Sequence, residues 1–157
     1  MKNKRKGNGR GNLSPLTTYL SPLKKINIMI ATNNIFNIRV GKQPWFGQTG
    51  TKKGFVEFET REHAIRAWLV LMRTYRRQYQ RCTIRDIVGR FAPPNENDTA
   101  AYVRYCAQQL CYSAHSPLKL SQDYCRLGVA MAQMETATKL TADDIQKVMK
   151  KYNIFIV

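Results

Sequence analysis

From Thr60 onward the apolar positions recur at intervals of three and four. Ala64, Ile65, Trp68, Leu71, Met72, Tyr75 and Tyr79 form one stripe, while Arg61, Arg66, Arg73, Arg76 and Arg77 fall largely on other faces. That period marks an amphipathic helix, with Thr60 as its N-cap. Thr83 opens a shorter helix, with Asp86 three residues on and Gly89 and Pro93-Pro94 to close it. Asn97 or Asp98 caps a third, in which Ala101, Tyr102, Tyr105, Cys106 and Leu110 share a face. Two more are readable: Ser121 to about Glu135, with Tyr124, Leu127, Met131 and Met134 inward, and Ala142 to about Tyr152, capped by Thr141 with Asp144.

Before Thr60 the period shortens to two. Ile26, Ile28 and Ile30 alternate with Asn27 and Met29, which predicts a short strand. Asn37 to Val40 and Phe55 to Phe58 are β-favouring runs on either side of GKQPWFGQTGTKKG, whose glycines and proline demand turns. The pattern therefore predicts a mainly α fold with a small β hairpin lobe built around a long loop. Residues 1–12 contain almost nothing apolar and read as a disordered basic tail, leaving residues 13–157 as a single domain.

Charge adds what the pattern does not show. The chain holds 26 Lys+Arg against 10 Asp+Glu, a net charge of +16. Five of the cations (Lys2, Lys4, Arg5, Lys6 and Arg10) lie in the first ten residues, so the tail alone does not account for the excess. A charge of this size concerns partners more than fold, and the candidates are nucleic acid, an anionic membrane surface or an acidic wall polymer such as peptidoglycan. No apolar run follows the basic start, and Asn27, Asn33 and Asn34 interrupt the best stretch, so the sequence predicts neither a signal peptide nor a membrane span.

Cys82, Cys106, Cys111 and Cys125 form no Cys-x-x-Cys, and with only His63 and His115 the zinc spacings are absent; buried reduced thiols are the simplest reading. No Walker, Rossmann or Gly-x-Ser-x-Gly pattern occurs, so neither cofactor nor metal is expected. Most carboxylates fall at helix starts, where capping accounts for them. Glu135 differs, because it ends the apolar run GVAMAQME, where partial burial would raise its pKa toward the range of a general acid. Glu96 lies among Asn95, Asn97 and Thr99 after two prolines, which suits either a capping turn or a ligand site. Arg73, Arg76, Arg77 and Arg81 around Tyr75 and Tyr79 make the densest basic and aromatic cluster, fit for phosphates and bases or for a solvated helix face over core tyrosines. Trp45 and Phe46 in a Gly-flanked loop are either folded onto the core or offered to a ligand.

Taken together, TNNIFNIRV, the Trp45-Phe46-Gly47 loop, Phe55 and Phe58, Ile65-Arg66-Ala67 and the block Ala92, Pro93, Pro94, Glu96, Asn97, Thr99 and Tyr102 resemble small phage and prophage virion proteins labelled structural protein and considered lysozyme-like. The order of parts is also similar to autolysin-type glucosaminidases, whose catalytic Glu lies upstream; here no acid precedes Glu57. AMAQMET resembles the close of a lysozyme-type acid helix, which would make the fold circularly permuted. The resemblance implies a phage-type protein that binds and cleaves peptidoglycan glycan strands, as a glycoside hydrolase or lytic transglycosylase. Glu135 would be its general acid, and Asn34, Arg39, Trp45, Glu96, Asn97, Thr99 and Tyr102 its substrate-binding residues. The alternative is a non-catalytic virion structural or nucleic-acid-binding protein using Lys4, Arg5, Lys6, Arg73, Arg76 and Arg77, with other virion proteins as partners. Either reading places the chain in the virion or the host cytoplasm.

Overall fold

Each expected helix forms, and in most the cap is the residue whose side chain reaches its own first turn. A computed structural model describes residues 31–157. In it, α1 runs Arg61–Tyr79, α2 Ile84–Phe91, α3 Thr99–Leu110, α4 Ser121–Thr136 and α5 Ala142–Lys151. Thr60 Oγ1 accepts from the His63 N–H at 3.3 Å and Thr83 Oγ1 from the Asp86 N–H at 3.0 Å. Between the two candidates for α3, the cap is Asp98, whose Oδ1 accepts from the Ala101 N–H. At α5 the capping box is reciprocal: Asp144 N–H donates to Thr141 Oγ1 and Thr141 N–H to Asp144 Oδ2. At α4 Asp123 reaches back to accept from the Leu120 N–H at 2.9 Å. Gly89 does not end α2; the helix passes through it to Phe91 and stops before the two prolines.

The β lobe differs from the expected hairpin. The loop contributes its own strand, β1 (Gln48–Lys52), antiparallel to β2 (Phe55–Phe58). Lys53 and Gly54 join them, both with positive φ (51° and 86°), the signature of a tight primed hairpin turn. The 37–40 run lies on the other side of β2 as an isolated bridge, Arg39 to Phe55, with Val56 N–H donating to Ile38 O and Val40 N–H to Gly54 O. QTGTK has no apolar alternation, so periodicity could not reveal it; threonine's β preference and the Lys-Gly turn carry that strand. The expected strand at Ile26–Ile30 and the basic tail of residues 1–12 lie outside the described residues.

The core gathers around Trp68, which is fully buried and stacked on Phe36 with centroids 5.2 Å apart. α4 packs on α3 and α5, α3 on α2, and α1 on α5 and β2. Gly128 of α4 lets the Trp68 ring and Ile145 approach the helix backbone. Tyr79, expected on the core stripe, is 46% exposed: it is the last residue of α1 and faces outward beside α2. All four cysteines are free; Cys106 and Cys125 are buried as expected, but Cys111 sits exposed at the left-handed C-cap of α3. Among the described residues, no helix is long and apolar enough to cross a membrane.

Candidate functional site

The last turn of α4 is fastened to the chain entering the β lobe. Thr136 Oγ1 donates to Ile35 O at 2.8 Å, and the Asn37 side-chain amide donates both to Glu135 O and to Glu135 Oε2, each at 3.1 Å. From α3, Tyr102 OH donates to Glu135 Oε1 at 3.0 Å. Both carboxyl oxygens therefore have a donor, in a half-buried position between three elements distant in sequence.

Burial governs the electrostatics of this group. It pushes the Glu135 carboxyl up from 4.5 to about 7, against the opposing pull of the Asn37 and Tyr102 hydrogen bonds and the Arg39 charge. Tyr102 is raised well above the ordinary phenol range, first by its own burial and then by Glu135. Cys106, one turn further along α3, is likewise pushed up by burial and by the same carboxylate. Near neutrality Glu135 divides between acid and carboxylate, the condition for a group that gives or takes a proton.

Arg39 connects this carboxyl to a second one. Its guanidinium forms an exposed ion pair with Glu96 and lies 5.2 Å over the Phe55 ring. Of the residues expected at the site, Tyr102 thus touches Glu135, Arg39 acts on it through its charge and holds Glu96, and Asn37 belongs with them although the sequence-derived site omitted it. Its place in the TNNIFNIRV run was the signal available, and its backbone takes the left-handed conformation that asparagine tolerates, with φ 50°.

The remaining residues expected to bind substrate have structural work. Asn34 is fully buried; its amide donates to Ile38 O and Val56 O, and its Oδ1 accepts from the Ile38 N–H. It holds the 34–38 turn on β2 and has no polar atom left for a ligand. Asn97 donates to Pro93 O and Thr99 to Ala92 O, fixing the turn that starts α3. Trp45 is folded onto the core, its indole N–H buried without a hydrogen-bond partner among the described residues. Phe46 is the aromatic that reaches solvent, 57% exposed against Arg66 and Tyr152.

The basic set divides as well. Arg76 is committed inside the structure, donating to Leu118 O at 2.9 Å and to Tyr124 OH at 3.2 Å. Arg77 is exposed and reaches Phe155 O, and Arg73 is half-buried on the same helix. Lys4, Arg5 and Lys6 lie outside the described residues. A cleft of about 650 Å³ between α3, α4 and residues 138–142 is lined by Tyr105, Gln109, Gln133 and Leu140, among others, and not by Glu135. The titrating chemistry and this cavity are therefore separate features. Among the described residues, no group of three or more His, Cys, Asp or Glu is placed to hold a metal.

No protein-family model matches the chain. Protein P5 of Pseudoalteromonas phage PM2 is 32% identical to it over 124 residues, which is 75% of this chain and 77% of that protein. The chain belongs to the Protein P5 family. This is a family with a phage member, and the match spans most of both proteins, so the shared part is more than a single helix or motif.

Proposed function

We propose that the chain is a structural component of a phage particle that engages a polyanionic partner through its basic surface. Membership of the Protein P5 family carries this reading, and the excess of 26 basic over 10 acidic residues supports it. With so large an excess, attraction to a polyanion is summed over many cations and depends on no single contact, and it weakens as salt screens it. The test is the composition of particles purified by density gradient and analysed by quantitative mass spectrometry. The chain is expected to co-sediment with the major capsid protein at constant ratio; its confinement to the soluble lysate would rule the reading out.

A second reading is favoured by one observation, the Glu135 carboxyl raised to about 7 between Tyr102 and Asn37. In it the chain adopts the lysozyme-like role and cleaves peptidoglycan glycan strands, with Glu135 protonating the leaving oxygen and the Arg39–Glu96 pair at the rim of the site. A peptidoglycan zymogram decides it. Lysis by the wild type that is lost in Glu135→Gln supports this reading, and equal lysis by both removes Glu135 from any mechanism.

A further inference from the structure

Beyond the end of α1, three arginines, one from the connection to α2 and two from α2 itself, converge on one cleft. Arg81 follows the left-handed C-cap of α1, while Arg85 and Arg90 lie on α2; with Asp86 and Gly89 they line a cavity of about 290 Å³. All three are exposed. The single carboxylate in this lining, Asp86, lies 3.8 Å from Arg81, so the cleft keeps a net positive charge. The Arg90 guanidinium lies 3.7 Å from the centroid of the Tyr79 ring and 5.4 Å from that of Tyr75. Tyr79 is a large aromatic at the surface of a strongly basic region, and its ring is already layered with a cation.

We infer that this cleft binds the backbone of single-stranded nucleic acid, with Arg81, Arg85 and Arg90 on phosphates and the Tyr79–Arg90 layer receiving an unpaired base. Guanidinium groups match phosphate oxygens in fork geometry, and base–aromatic stacking requires no particular sequence. A duplex fits less well, because its ring faces are sealed in its own stack and only phosphates and groove edges remain to contact. The site overlaps only in part the basic and aromatic cluster read from the sequence, sharing Arg81, Tyr75 and Tyr79 with it. Arg76 of that cluster is committed to Leu118 and Tyr124, whereas Arg85 and Arg90 were not in it. The inference rests on the polyanion reading and names the partner and the place.

Fluorescence anisotropy of the full chain with a labelled oligothymidylate, over a range of salt, tests it. Other basic residues also contribute to the slope of log K against log salt, so the informative quantity is the change on substitution. Removing two phosphate contacts in Arg85→Gln/Arg90→Gln should reduce the slope by about 1.4. Tyr79→Leu should weaken binding of oligothymidylate about tenfold and leave an abasic strand of equal length unaffected. These side chains are exposed, so unchanged circular dichroism and melting temperature establish that the variants fold. A double variant with wild-type affinity and slope would overturn this site while leaving the polyanion reading intact. So would wild-type binding of abasic strand or of a base-free glycerol-phosphate polymer as tight as binding of oligothymidylate. A wild type that binds none of these would overturn both.

Discussion

At the scale of single residues, Glu135 makes the sharpest statement, because its pKa links site and stability. Folding raises the carboxyl from 4.5 to about 7, so across that window the native state keeps a proton that the unfolded chain has released. Stability must then fall as pH rises from 4.5 to about 7 and level off above it, the reverse of an ion-paired carboxylate. The full shift would be worth about 3 kcal/mol, and the part exposure of the residue brings the expected effect to about 1–3 kcal/mol. Glu135→Gln keeps an acceptor for Tyr102 and carries no charge. Urea titrations at about pH 5 and about pH 8 should show the wild type losing stability between them and the variant losing much less. Equal losses would place the pH dependence elsewhere. The same residue shows what a sequence discloses about a site. Its position at the edge of an apolar helix was legible from Met131 and Met134, as was the Tyr102 face of α3. Its partnership with Asn37 was not, because the two are 98 positions apart and only packing brings them together.

Among the elements, the helices were legible because their determinants are local: Thr60, Thr83 and Thr141 each cap a turn within three residues. Features set by tertiary contact were harder to read. Asn34 offers the same amide whether it faces a groove or three backbone groups, and only the placement of Ile38 and Val56 decides. Tyr79 continues the apolar stripe in sequence, yet α1 ends there and the core does not extend beneath it. Gly128 in α4 is a further case, since helix propensity alone would recommend alanine by about 1 kcal/mol. A Cβ there would stand 2.6 Å from Ile145 Cδ1 and 3.0 Å from the fully buried Trp68 ring, so the contact between α4, α5 and α1 sets the outcome. Ile145 can turn its terminal methyl but Trp68, stacked on Phe36, cannot yield. Gly128→Ala should therefore be net destabilising by about 1–2 kcal/mol in chemical denaturation, with part of the loss recovered in Gly128→Ala/Ile145→Val. A stabilised single variant would mean that the helices separate more easily than their packing indicates.

The whole molecule is dominated by like charge. With +16 and few acids, each exposed cation has more cationic than anionic neighbours on average, and the folded state concentrates that repulsion relative to the expanded chain. The ion pairs among the described residues do little to offset it. Arg39–Glu96, Arg81–Asp86, Lys147–Asp143 and Lys151–Glu62 all join exposed side chains, a class worth about 0–1 kcal/mol each. Two salt effects then compete. Screening weakens these pairs, which destabilises, and weakens the general repulsion, which stabilises. Repulsion acts over many pairs at distances near the Debye length, where added salt changes most, whereas a pair in contact is screened least. The melting temperature should therefore rise by a few degrees between about 20 mM and about 300 mM sodium chloride. A polyanion does the same by binding, so a short oligonucleotide at low salt should raise the midpoint further, and its increment should shrink as salt rises. A midpoint that fell with salt would mean that the specific ion pairs outweigh the net charge, and attraction to a polyanion would then have to come from a local cluster such as Arg81, Arg85 and Arg90 rather than from the molecule as a whole.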